Sequence, residues 1–214
     1  YTLAAFPPLN SMDTSICMGA SIGMALGFEK ARGKDFAKKS VAVIGDSTFL
    51  HSGITGLVDV VYNKGNTTTI ILDNSITGMT GHQENPATGY TLKGEPTHSI
   101  DFKSLGKAIG INRIQVVDAY DIDKLEEIVK EEINVEEPSL IITKRPCVLI
   151  KRCNMIKEPI IIDNDKCVKC KACLKIGCPA ITFKDNVMSI NQILCVGCEL
   201  CTKVCKFDAI GGDE

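Results

Sequence analysis

Eight cysteines late in the chain fall into two runs. One is Cys167-x2-Cys170-x2-Cys173-x4-Cys178-Pro179 and the other is Cys195-x2-Cys198-x2-Cys201-x3-Cys205. Thiolates set two residues apart on a turn reach neighbouring irons of one cubane. In the bacterial two-cluster spacing the fourth cysteine of each run serves the other cluster. The pattern predicts one cluster on Cys167, Cys170, Cys173 and Cys205, and a second on Cys195, Cys198, Cys201 and Cys178. Paired Cys-x2-Cys also binds structural zinc, but the third step, the Cys-Pro and the duplication of the whole unit speak for iron–sulfur. Longer words repeat as well: Ile162-Asp163 precedes Cys167 as Ile190-Asn191 precedes Cys195. Two departures, the extra residue before Cys178 and Lys206 where a second proline would stand, alter loops and leave the ligand count intact.

A second constellation lies earlier. Gly45-Asp46-Ser47 closes one apolar run, and Asp73-Asn74-Ser75 closes the next, with Asn74 28 residues after Asp46. A hard cation bridging a diphosphate needs oxygen ligands of this kind: the Asp46 carboxylate, the Asn74 amide oxygen and a backbone carbonyl just beyond, at Ile76. Backbone N–H groups at the turn and at a helix start near Ser52 would face phosphate oxygens. Gly-Asp after a strand is also a routine turn, so spacing alone leaves both readings open.

The elements that must position these groups are legible in outline. Ser40–Ile44, Thr68–Leu72, Ile114–Val117 and Leu140–Thr143 are β-branched or aliphatic runs, read as buried strands. Asp13 or Thr14 is expected to cap a helix carrying Ile16, Ala20, Ile22, Met24 and Leu26, and Ser52 one carrying Ile54, Leu57, Val58 and Val61. Asp121 to Ile133 reads as an acidic amphipathic helix. Strand–helix alternation with apolar strands predicts an α/β fold, a doubly wound, mostly parallel sheet, which binds ligands at the carboxyl ends of its strands. Gly19, Gly23 and Gly27 recur every four residues and suggest a bare face for close packing, with a cofactor near it. From Asn74 to about Ser99 the periodicity vanishes into a glycine-rich stretch holding two of the three histidines, and its place beside both polar turns favours a functional loop.

The totals set bounds. The chain has 214 residues, 44% of them apolar, enough for one core and a small second domain. A net charge of −2 points to no nucleic-acid or membrane partner, and no apolar run reaches membrane-spanning length. The start at Tyr1 has no basic signal-peptide region, so we read it as a cut inside a longer polypeptide or a processed start. Eleven cysteines without a secretory signal point to metal binding in a cytoplasmic protein rather than to disulfides; eight are the ligands above, and Cys147 and Cys153 have no standard ligand spacing. Residues 1–145 form the expected first domain, 146–158 a basic linker, and 159–214 a small α+β domain of the two-cluster bacterial ferredoxin type. From 144 to 157 the joint carries Lys144, Arg145, Lys151, Arg152 and Lys157 and no acid; a solvated linker and contact with an anionic surface or with the clusters both account for it. Cys17 is expected to pack inside an apolar helix.

The words "PPLNSMDTSICMGASIGMALG", "GDSTFLHSGITGL" and "DNSITGMTGHQENPATG", followed by the two-cluster tail, closely resemble the thiamine diphosphate-binding alpha subunit of the indolepyruvate ferredoxin oxidoreductases. Gly45-Asp46-Ser47 through Asp73-Asn74 resembles that family's Gly-Asp-Gly and Asn-Asn motif, with Ser47 and Asp73 as departures. The resemblance implies a diphosphate-domain sheet in which Asp46, Asn74 and the Ile76 carbonyl hold Mg2+. It places Gly45, Ser47 and the helix around Gly19 against the cofactor, with Gly78 and Met79. The implied reaction is oxidative decarboxylation of an aryl 2-oxo acid with coenzyme A, giving an acyl-CoA and CO2, with electrons leaving singly through two clusters to ferredoxin. Met79 suits an aryl ring, where pyruvate-specific relatives carry a polar residue. His82 and His51 are candidates for proton transfer, and a loop-stabilising hydrogen bond is the alternative for each. The activating glutamate of the family finds no match in residues 1–143. The resemblance therefore implies an N-terminal pyrimidine-binding portion or chain, a further subunit and an oligomer. An oxidoreductase for another 2-oxo acid, or an electron-transfer module on a non-catalytic α/β scaffold, are the alternatives.

Overall fold

In the computed structural model, which describes residues 2–211, four strands form one wholly parallel sheet in the order β1-β2-β4-β3. They are β1 (Val41–Gly45), β2 (Thr68–Asp73), β3 (Arg113–Asp118) and β4 (Ser139–Lys144). The strand centres are aliphatic because both faces are covered. Leu140 and Ile142 of β4 face one core with Ile44, Ile71 and Phe49, while Ile141 faces the other with Val117. The first core is roofed by α1 (Ala20–Arg32), α4 (Ile54–Tyr62) and α5 (Phe102–Ile109), through Ile22, Leu26, Leu57, Val60 and Phe102. The second is roofed by α6 (Ile122–Glu132), through Ile128 and Leu125. Each aliphatic side chain buried this fully contributes roughly 1.5–3 kcal/mol. Short helices α2 (Lys34–Ala37) and α3 (Asp46–Thr48) complete this unit, which spans Ser15–Cys147.

Several expectations need correction. Helix α1 starts at Ala20 and not after Asp13 or Thr14, because Gly19 stands at φ 91, where a right-handed helix cannot continue. Ile16 is consequently 76% exposed, and Cys17 is an exposed residue ahead of the helix rather than a packed one within it. Gly23 and Gly27 leave open space where a Cβ would stand, so they do not mark a close helix contact among the described residues. Ser52 caps nothing: helix runs from Asp46, through a π-helical turn at Phe49–Gly53, into α4, and the Ser52 hydroxyl donates to the Thr48 carbonyl at 3.2 Å. The buried stripe of α4 falls on Leu57 and Val60, and Val58 faces solvent.

The second unit joins residues 148–211 to residues 2–14. Two small antiparallel pairs frame it: β5 (Ile161–Ile162) with β8 (Ile210–Gly211), and β6 (Ile181–Lys184) with β7 (Val187–Ile190). Asp185 and Asn186 turn the β6–β7 hairpin with positive φ at both residues, as a tight primed turn requires. The duplication survives in three dimensions: a 3-10 helix (Ala172–Ile176) and α7 (Leu200–Val204) follow matching cysteines in the two halves. Met188, Ile181, Ile160 and Ile210 form a small core with Cys173 and Cys201.

Candidate functional site

Strand β1 ends at Gly45, and Asp46 opens the helical stretch that follows. Parallel register sets Gly45 opposite Leu72, which brings Asp46 beside Asp73 at the carboxyl ends of β1 and β2. Asp46 is only 3% exposed. Its Oδ1 accepts from the Ser47 N–H at 2.7 Å, and its Oδ2 from the Asn85 side-chain amide at 3.3 Å. Burial pushes the Asp46 carboxyl above the usual aspartate range; the Ser47 and Asn85 donors oppose this, the Asp73 charge adds to it, and the Ile76 N–H opposes it in turn.

The second turn is built by its own side chains. Ser75, in the left-handed region at φ 58, donates through its N–H and hydroxyl to Asp73 Oδ1 at 3.0 and 3.3 Å. Asp73 Oδ2 faces Lys144 Nζ at 3.6 Å. The exposed Asn74 accepts from the Ile76 N–H at 3.2 Å, and its carbonyl takes the Cys147 N–H at 2.9 Å. Asp46, Asp73, Asn74 and Ile76 therefore converge at two adjacent strand ends. This donor set fits a hard divalent cation. It offers oxygen ligands, and a positive charge would relieve a buried carboxyl crowded by a second acid.

Around it, Thr77 and Gln83 exchange backbone hydrogen bonds at 2.9 and 3.2 Å, closing a small loop. Gly78, Met79 and His82 lie on that loop, Met79 being 73% exposed and His82 exposed at φ 64. A Cβ on Gly78 would meet nothing nearer than 4.0 Å, so that side is open. A Cβ on Gly19 would stand 2.2 Å from the Ser52 hydroxyl, so the start of α1 abuts the π-helical turn that carries the exposed His51. Neither His51 nor His82 makes a side-chain hydrogen bond among the described residues. The residue that sequence reasoning missed is Asn85. It is 7% exposed and holds Asp46 from the far side of the loop, and its one local signal is the Asn-Pro word, a turn former.

In the second unit the cysteines gather as two quartets. Burial raises the Cys173 thiol, and the neighbouring charges of Cys167, Cys170 and Cys205 add to it. Burial pushes Cys201 up to about 11, with Cys198, Cys178 and Cys195 contributing. A small hollow, partly open to solvent, is lined by all four thiols of the first quartet together with Ile162 and Met188. Among the described residues no three His, Cys, Asp or Glu side chains converge as a lone metal ion would need. A cubane asks for a different arrangement, one thiolate at each of four separate iron corners, and coordination would overcome the raised thiol pKa values. All eleven cysteines are free thiols. Of the basic joint, Lys144 faces Asp73, Arg145 forms a two-pronged pair with Asp118 at 2.8 Å on each arm, and Lys157 faces Glu199 at 3.7 Å. No helix among the described residues is long and apolar enough to cross a membrane.

These features have counterparts in known proteins. Residues 188–211 match the 4Fe-4S binding domain. The chain is 40% identical over 161 residues to indolepyruvate oxidoreductase subunit IorA of Pyrococcus horikoshii, an alignment covering 71% of this chain and 25% of that protein. It is 37% identical over 150 residues to the Archaeoglobus fulgidus IorA, covering 70% and 23%. The chain thus spans about a quarter of the length of these curated relatives. A solved 2-oxoglutarate:ferredoxin oxidoreductase from Magnetococcus marinus superposes with a TM-score of 0.53 at 20% identity, over 61% of this chain and 46% of that one, and so shares the fold. Residues 3–143 match the C-terminal TPP binding domain of thiamine pyrophosphate enzymes, and to that family this chain, with its iron–sulfur tail, belongs.

Proposed function

We propose that this chain is the diphosphate-binding and electron-exit portion of a 2-oxo acid:ferredoxin oxidoreductase acting on aryl pyruvates, indolepyruvate foremost, with coenzyme A as co-substrate. The observation that carries the reading is the union, in one chain, of a buried Asp46 beside Asn74 and Ile76 with two quartets of thiols. Asp46, Asn74 and the Ile76 carbonyl would hold Mg2+, which would supply the positive charge that a diphosphate needs there. Gly19, Gly45, Ser47 and Gly78 would line the cofactor, and Gly78 leaves an open side beside it. Bound thiamine diphosphate would supply the nucleophilic carbon and electron sink that loss of CO2 from a 2-oxo acid requires. The exposed Met79 offers the aryl ring an apolar contact, and His82, with His51 as second candidate, moves a proton or orients the substrate carboxylate. Cys167, Cys170, Cys173 and Cys205, and Cys195, Cys198, Cys201 and Cys178, would hold two [4Fe-4S] clusters, which would supply a one-electron route towards ferredoxin. The pyrimidine-side carboxylate comes from an N-terminal portion or another chain within an oligomer that includes a further subunit. Iron-ligating thiolates call for a reducing compartment, the cytoplasm.

The test is calorimetric titration of thiamine diphosphate into the anaerobically purified chain with and without Mg2+. Saturable, Mg2+-dependent binding that disappears in Asp46→Ala while iron content holds is the expected result. Equal binding in the variant would overturn the cation site.

A further inference from the structure

The two halves of the cluster unit share one scaffold and present opposite surfaces. Aligned on their cysteines, Lys166, Lys169 and Lys171 of the first half stand where Leu194, Gly197 and Glu199 stand in the second. The backbone is the same at these points: φ is 57 at Lys169 and 64 at Gly197, and 61 at both Lys171 and Glu199. The second loop is covered. A Cβ on Gly197 would lie 2.4 Å from the Glu158 carbonyl, the Lys157 N–H donates to Val196 at 3.1 Å, and the Ile160 N–H approaches Cys195 Sγ at 3.4 Å.

The first loop has no such cover among the described residues. Lys169, Lys171 and Lys175 are exposed, and between them lies Cys170, the one exposed thiol of the eight. Lys166 faces Asp163 at 3.5 Å, and Asp165 also precedes the run. The Lys171 ammonium sits 4.2 Å from the centre of the Phe183 ring, a cation–π contact with an uncharged partner. Lys169 and Lys175 form no ion pair among the described residues. From Lys166 to Lys184 there are lysines and no acid. Val168 and Phe207, about half exposed, line the hollow of the same quartet and give the patch an apolar centre. A left-handed backbone at a non-glycine residue costs about 1 kcal/mol or more, and Lys169 stands at such a position where the second half has a glycine.

We infer that the lysine face around Cys170 is the docking surface for an acidic one-electron carrier protein, and that the quartet of Cys167, Cys170, Cys173 and Cys205 is the electron outlet. The inference rests on the function proposed above. One electron passes from the reduced cluster to the oxidised carrier, with no bond made and no proton moved. Complementary charge guides the carrier and orders it over the exposed thiolate, and the covered second quartet is left as the inner relay.

The experiment uses the anaerobic, cluster-loaded chain and an acidic two-cluster ferredoxin as the probe, with affinity measured along a salt series. Binding should weaken as salt rises, and Lys169→Glu with Lys175→Glu should weaken it about tenfold at low salt. Iron and sulfide content should be unchanged. If that variant loses its clusters, Lys169→Gln with Lys175→Gln takes its place. Lys38→Glu with Lys39→Glu, exposed lysines of the other unit, is the control and should bind as the parent does. Unchanged affinity in the lysine variants, or an equal loss in the control, would overturn the surface. So would a DNA duplex that binds the same lysines while the ferredoxin does not bind. A chain holding zinc and no sulfide would instead defeat the cluster reading beneath it.

Discussion

Asn85 is the side chain on which the geometry of Asp46 most depends. Its amide donates to Asp46 Oδ2 at 3.3 Å, and its Oδ1 accepts from the Ala87 N–H at 2.9 Å, in a site where both side chains are nearly inaccessible. Asn85→Ala strips one donor from a buried carboxylate, about 2 kcal/mol for a bond of this length, and leaves the Ala87 N–H without its acceptor, about 1 kcal/mol more. The loop should then open about 100-fold more readily, since each 1.4 kcal/mol is about tenfold. Hydrogen exchange read by mass spectrometry on peptides covering residues 84–90 measures this local opening directly. Asn85→Asp should open the loop further, because it sets a third carboxylate beside Asp46 and Asp73. Exchange within about threefold of the parent in Asn85→Ala, or a fully protected Asn85→Asp, would refute the argument that Asp46 is held from this side.

Two other outcomes follow from single contacts. Asp101 caps α5 by accepting from the Ser104 N–H at 2.7 Å, and the Ser104 side chain and N–H hold its carboxyl below the usual range. Asp101→Ala should cost about 1 kcal/mol at neutral pH. Because the folded pKa lies below the unfolded one, that contribution is present above about pH 4 and fades as pH falls further, so melts of the two proteins along a descending pH series should converge. Cys201→Ser removes one corner of the second quartet, and iron per chain should fall from about eight towards about four, with the first cluster's spectrum retained.

The strands and cysteines were legible because their signals are local. Aliphatic runs give the four strands to within a residue or two, since a strand buried on both faces has no polar alternation to obscure it. The partition of the thiols into quartets is read from a duplicated spacing; the structure sets Cys167, Cys170 and Cys205 near Cys173, and Cys198, Cys178 and Cys195 near Cys201. Helix starts were harder. Asp13, Thr14 and Ser52 have the chemistry of caps, yet a left-handed Gly19 and a π-helical turn decide where the helices run; Gly19 is one of three evenly spaced glycines, and the π-helical turn has no composition signal. Helix α5 has a weak sequence signal because it is short, though Asp101 and Gly110 frame it as cap and stop. Asn85 was illegible for a different reason: it acts 39 residues away from Asp46, across a loop with no periodicity.

The central claim is that electrons released at the Asp46 site reach the thiol-bound clusters of the same chain. It is tested most directly by electron paramagnetic resonance on the reassembled enzyme, loaded with thiamine diphosphate and Mg2+, given indolepyruvate and coenzyme A, and left without an external acceptor. The account predicts that reduced [4Fe-4S] signals grow in after substrate is added, and that they stay absent in Asp46→Ala despite its full complement of iron. Cluster reduction that persists in Asp46→Ala, or clusters that stay oxidised in the parent enzyme while CO2 is released, would contradict it.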